Sequence, residues 1–224
     1  MGLKYCLYVI YYKNRSDYSK NRSYLNEFYF IGYMKPEEKI FLAYYESRKV
    51  ELYFNELKDL AMLSDSSLAH NLKKLVSQRM LSVNKTRSNT FYKVENKRIF
   101  ALEFSKIAVL KFLDLNRGVR IPIQNFLDNI SLGIYSIVLF GSASKKMERK
   151  GSDIDLLIIT DIKQDFEAIK KEVENISNYP LNIFICSTQE FIKGDDHIII
   201  QAKKTGFPIK GEQNYYEVLL DEYK

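Results

Sequence analysis

Asp153 and Asp155 stand two residues apart, ten residues beyond the pair Gly141-Ser142, and residues of these types at this spacing could do phosphate chemistry. On a strand, positions i and i+2 share a face, so both carboxylates would project together. Two neighbouring hard oxygen donors suit Mg²⁺ or Mn²⁺ when substrate phosphates complete the shell. A cation held there neutralises charge and aligns an in-line attack at phosphorus. Gly141 would let backbone approach a phosphate closely, and Ser142 would open a helix whose first N–H groups and hydroxyl meet an anion. Neither feature alone says much, since two aspartates at this spacing are commonly a solvated strand start. The signal is their conjunction: strand, Gly-Ser, short helix, then carboxylates leading into an apolar run.

The elements that must position these residues are readable around them. Segments 134–140 and 154–160 are short, apolar and rich in β-branched residues, which predicts buried strands. An amphipathic helix fits 165–176, and a third strand fits 181–187. Strands alternating with helices predict an α/β domain over a mixed sheet. Upstream, Gly118 and Pro122 mark a boundary. Helical spacing over 96–116, with Phe100, Phe104, Ile107, Ala108 and Leu110 as its buried stripe, predicts a connecting helix.

Further toward the N-terminus three helices are expected. The first runs from Met34, with Pro36 in its opening turn and Ile40, Phe41, Tyr44 and Tyr45 on one face. The second spans 55–62 with Asn55 as N-cap, and the third, capped by Ser64 or Asp65, runs to about Met80. Two strands follow, 81–85 and 90–94, joined by the polar hairpin Thr86-Arg87-Ser88-Asn89. Residues 3–12 read as a strand and 14–26 as a polar loop.

Composition narrows the partners. The chain of 224 residues is 46% hydrophobic and 28% charged, with no apolar run long enough to span a membrane. Its start lacks the pattern of a signal peptide, and its two cysteines, Cys6 and Cys186, each sit in apolar stretches as buried free thiols would. A cytoplasmic protein is expected. His197 beside Asp195 and Asp196 reads as a surface turn or helix cap. The net charge of +6 divides unevenly: residues 1–117 carry +9 and residues 118–224 carry −3. The basic half is therefore the candidate for a polyanion.

Three helices followed by a two-stranded ribbon, over 36–95, resembles the winged helix-turn-helix domains of bacterial and archaeal transcription regulators. The residues that carry the likeness are Phe54-Asn55-Glu56-Leu57-Lys58-Asp59-Leu60-Ala61 and Asp65-Ser66-Ser67-Leu68-Ala69-His70-Asn71-Leu72-Lys73-Lys74-Leu75. Leu68, Leu72, Leu75 and Val76 give the third helix a core face. Ser66, His70, Lys73, Lys74 and Ser77 fall opposite, where a recognition helix meets the major groove of duplex DNA. Lys85, Arg87 and Lys93 on or beside the wing would reach phosphates. Winged helices also serve as protein-interaction modules, and lysines on the exposed face favour DNA.

Val138-Leu139-Phe140-Gly141-Ser142 and Ser152-Asp153-Ile154-Asp155-Leu156-Leu157-Ile158 resemble the minimal nucleotidyltransferases of the polymerase-β superfamily, which include antitoxins paired with HEPN toxins. The likeness runs from about Ser131 to the C-terminal stretches 202–209 and 215–219. It implies a nucleoside triphosphate, ATP or another, held with Mg²⁺ or Mn²⁺ on Asp153 and Asp155. Gly141, Ser142, Lys145, Lys146 and Ser152 would hold the phosphates. The family's third carboxylate falls at Asn182, which keeps a carbonyl ligand but loses charge and basicity. Many members carry an arginine after Gly-Ser, and here Lys145 and Lys146 stand in that region, with Arg149 and Lys150 further on.

The expected fold is α+β: an extension over 1–35, a winged helix over 36–96, a connecting helix over 97–117 and a nucleotidyltransferase-like α/β domain over 118–224. The expected activity is transfer of a nucleoside monophosphate to an acceptor hydroxyl, by an enzyme that also binds duplex DNA. The rival is a DNA-binding regulator or antitoxin-like protein whose transferase site is degenerate. A protein acceptor, a toxin partner or a homodimer would fit either.

Overall fold

A computed structural model describes residues 34–223 apart from 131, 132, 150, 176 and 178. The strand expected over 3–12 and the loop over 14–26 lie outside the described residues, as do Cys6 and Lys150. From Pro36 onward the chain forms one compact unit. It is a mixed α+β structure holding a three-stranded and a four-stranded sheet.

Helix α1 (Pro36–Ser47) begins on proline, whose missing N–H costs nothing in a first turn. It buries Ile40, Phe41 and Tyr44, and the Tyr44 hydroxyl donates to the carbonyl of Tyr92 at 2.7 Å. A short strand the sequence did not announce follows, β1 (Glu51–Tyr53), and leads without a turn into α2 (Phe54–Ala61). Helix α3 (Asp65–Ser77) is capped by Ser64, whose hydroxyl accepts the N–H of Ser67. Leu68, Leu72 and Leu75 are its buried stripe. The hairpin strands β2 (Leu81–Lys85) and β3 (Thr90–Val94) have the bounds the alternation predicts. Strand β3 lies between β1 and β2, antiparallel to both.

Helix α4 (Lys97–Leu113), capped by Asn96, carries aromatics on two sides. Phe100 packs edge-on against Phe41 and Tyr44 of α1, while Phe104 packs against Tyr45 of α1 and against Tyr216. Tyr216 belongs to α9 (Glu212–Glu222), so α4 is shared by the helical part and the large sheet. Helix α5 (Arg117–Asn129) comes next, then β4 (Ser136–Phe140), β5 (Ile154–Ile159), α6 (Glu167–Glu174) and β6 (Leu181–Cys186). The chain continues through α7 (Thr188–Lys193), α8 (His197–Thr205) and β7 (Phe207–Lys210) to α9. The sheet order is β6-β5-β4-β7, with β5 and β6 parallel and the other pairs antiparallel, the mixed sheet expected.

Several boundaries differ from the sequence reading for physical reasons. Asn55 is not a cap: pairing of β1 with β3 holds the chain extended through Tyr53, which becomes the N-cap, and Asn55 sits inside the first turn. Helix α3 stops at Ser77 because Gln78 and Arg79 turn back onto Lys74 and Val76, with Arg79 in the left-handed region. Gly118 and Pro122 lie inside α5 rather than at a break. There Val119, Pro122, Ile123 and Phe126 recur at helical spacing and are buried, and Phe126 packs on Phe166, so tertiary burial outweighs the hydrogen bond that proline removes.

Candidate active site

The end of β4 and the starts of β5 and β6 lie side by side. Phe140 pairs with Asp155, and Asp155 pairs in turn with Asn182. This register brings Asp153, Asp155 and Asn182 together, as the sequence placed them. Asn182 Nδ2 donates to Asp153 Oδ2 at 2.9 Å and reaches Asp155 Oδ1 at 3.3 Å. One amide therefore bridges two carboxylates, on which a positive charge would otherwise be drawn. Burial raises the Asp155 carboxyl above the ordinary value of 3.8, the Asn182 hydrogen bond opposes this, and the charge of Asp153 raises it further.

Gly141 closes the site from the β4 side. Its φ is +74°, and a β carbon there would lie 2.1 Å from Asp155 Oδ2. The glycine is thus required by the carboxylate beside it as well as by its own backbone. Ser142 follows, half-buried, but it opens only the single 3₁₀ turn Ala143–Lys145 rather than a helix. A dipole from one turn is small, so anion affinity here would rest on individual N–H and hydroxyl groups and not on a macrodipole. Ser142 has no side-chain bond of its own in capping that turn.

The loop after the turn is tied down by Ser144, Asp114 and Asn116, which sequence reasoning did not single out, and by Lys146, which it did. Ser144 Oγ donates to the carbonyls of Gly141 at 2.9 Å and Thr205 at 3.0 Å, fastening the glycine to the end of α8. Lys146, in the left-handed region, forms an ion pair with Asp114, and Asn116 donates to Glu148. Both latches join the loop to the α4–α5 junction. Lys146 would have to leave Asp114 to meet a phosphate, whereas Lys145 is exposed. Ser152 is committed to the local turn: its Oγ accepts the N–H of Arg149 at 2.8 Å, and its own N–H donates to the Arg149 carbonyl.

Two carboxylate oxygens converging on one point fit a divalent cation, with the place now taken by Asn182 Nδ2. Rotating the Asn182 amide by half a turn would present its Oδ1 instead, a third oxygen donor in the same volume. Among the described residues no group of three or more His, Cys, Asp and Glu side chains is placed to hold a metal ion. Asp196 caps α8 and His197 is exposed beside it, the surface role expected for both. Burial pushes the Cys186 thiol up to about 11, so it is an inert core group.

On α3, Ser66, His70 and Lys73 are exposed, and so is Lys74, which pairs with Glu37 of α1 at 2.5 Å. Lys85 and Arg87 are exposed at the far end of the β2–β3 hairpin. Among the described residues no helix is long and apolar enough to cross a membrane.

One solved structure, described as "Crystal structure of the toxin-antitoxin with AMP-PNP", is similar over 48% of this chain and 83% of its own, at 19% identity and a TM-score of 0.36. No curated protein matches the chain. With the aspartate pair, its bridging amide and the glycine turn all inside the matched span, residues 123–206 fit the family model of the nucleotidyltransferase domain.

Proposed function

We propose that this chain transfers a nucleoside monophosphate from a nucleoside triphosphate to an acceptor hydroxyl, using Mg²⁺ or Mn²⁺, and that residues 36–96 form a winged helix that binds duplex DNA. In this reading 97–117 connects that winged helix to a nucleotidyltransferase domain over 118–224. The observation that carries it is the convergence of Asp153 and Asp155 on one point beside the Gly141 turn. A bound divalent ion would supply charge neutralisation and orientation of the phosphates. Gly141 and Ser142 lie where backbone and hydroxyl donors can meet the triphosphate, with exposed Lys145 at the end of the turn. The acceptor oxygen bonds to the α-phosphorus, pyrophosphate leaves, and the hydroxyl proton needs a base. Asp153 and Asp155 are the carboxylates at hand to accept it, since the Asn182 amide cannot.

A second reading is favoured by one observation. The asparagine at position 182 lacks the third charge and donates to both aspartates. A DNA-binding regulator or antitoxin-like protein with a degenerate transferase site would look the same. Incubation with α-labelled ATP, Mg²⁺ and lysate protein or RNA separates the two, with Asp153→Ala as the blank. Label above blank in wild type, or gained in Asn182→Asp, supports the enzyme. No label in either variant, with metal-dependent nucleotide binding intact, leaves the regulator.

A further inference from the structure

Away from the aspartate pair, a cleft of about 400 Å³ opens between the end of α1, the α7–α8 region and the end of α9. Its lining holds four cationic side chains, Arg48, Lys193, Lys203 and Lys204, against one carboxylate, Glu222. Arg48 stops α1 in the left-handed region and donates to the Lys203 carbonyl at 3.0 Å, which fixes its guanidinium at the cleft. The Lys203 side chain is only 13% exposed, lies 4.5 Å over the Phe191 ring and pairs with Glu222 at 2.6 Å. Gly194 makes room for it, since a β carbon there would stand 3.0 Å from Lys203 Nζ. At the rim Lys193 pairs with Asp195, and Lys204 is exposed.

Glu222 is the only anion among the described residues of the lining, and its side chain, 38% exposed at the end of the helix, is held on Lys203.

We infer that this cleft binds a small phosphate-bearing molecule, whose anionic oxygens replace Glu222 on Lys203 and meet Arg48 and Lys204. Its volume lies within the range of small-ligand sites, and the excess of cations selects an anion. The site does not depend on the transferase reading.

The test uses the full chain carrying Asp153→Ala and Asp155→Ala, titrated calorimetrically with inorganic pyrophosphate in the absence of divalent metal. Saturable binding should persist in that background. Lys204→Ala should weaken it about tenfold, the effect of one charge-assisted hydrogen bond. Glu222→Gln should strengthen it several-fold by removing the competing carboxylate. No saturable binding in the double-aspartate background would overturn the inference. So would binding that both substitutions leave unchanged.

Discussion

Gly141 and Asp155 are in contact across neighbouring strands, so closely that the carboxylate occupies the volume a β carbon of residue 141 would need. Gly141→Ala should therefore act twice. The left-handed backbone costs an alanine roughly 1 kcal/mol, and the clash drives the Asp155 carboxyl off its position. We expect a melting temperature lowered by several degrees. Calorimetry should also show Mg²⁺-dependent ATP affinity lowered at least as far as in Asp155→Ala.

Removing either aspartate tests the metal site directly. In the full chain, Asp153→Ala and Asp155→Ala should each abolish the Mg²⁺-dependent part of ATP binding. Any transfer rate should fall by about a thousandfold or more, because the charge stabilisation supplied through the pair is worth several kcal/mol. Equal affinity in wild type and the double variant, measured by calorimetry, would remove the basis for the site.

Acid stability depends on two surface carboxylates that hold backbone ends. Asp161 accepts from the Thr188 hydroxyl and N–H, and Glu190 completes a capping box with Ser187 at the start of α7. These bonds lower both groups below their ordinary values of 3.8 and 4.5. A lowered folded-state value stabilises above the unfolded value, and the contribution fades as pH falls through the folded one. Asp161→Asn and Glu190→Gln should therefore lower the melting temperature at neutral pH. The gap from wild type should shrink below about pH 4, in thermal melts over a pH series.

DNA binding should be steeply salt-dependent if α3 and the β2–β3 hairpin meet phosphates. Lys73→Ala should reduce the slope of log K against log salt by about one unit. Lys74→Ala should change it less, because Lys74 already pairs with Glu37. Full-length protein that retards no duplex at low salt would point the helical part toward a protein partner.

The legible parts of this structure are those governed by local periodicity. The β2–β3 hairpin could be bounded from its two short runs and polar turn, whereas Asn182 was set beside the aspartates by the family resemblance, which puts a third carboxylate there, and the register of β5 with β6 agrees. What escaped was set by distant pairing. Strand β1 has three residues and exists because β3 offers it an edge, and that pairing displaced the cap from Asn55 to Tyr53. Pro122 looked like a break because its burial against neighbouring elements is invisible in sequence. The contact of Gly141 with Asp155 and the bond from Ser144 to Thr205 likewise depend on strands and helices meeting across the sheet.

The aromatic seam on α4 also bears on how the chain is made. Tyr45 and Tyr216, whose hydroxyls lie 3.3 Å apart, are separated by 171 positions, and Phe104 sits between their rings. Phe104 leaves the ribosome on the order of ten seconds before Tyr216 follows at ordinary rates of synthesis. Through that interval the side of Phe104 that Tyr216 covers lacks that cover, although α1 can already pack on Phe100 and Phe104. The nascent protein thus carries a temporary sticky face, and the step that hides it is the docking of α9.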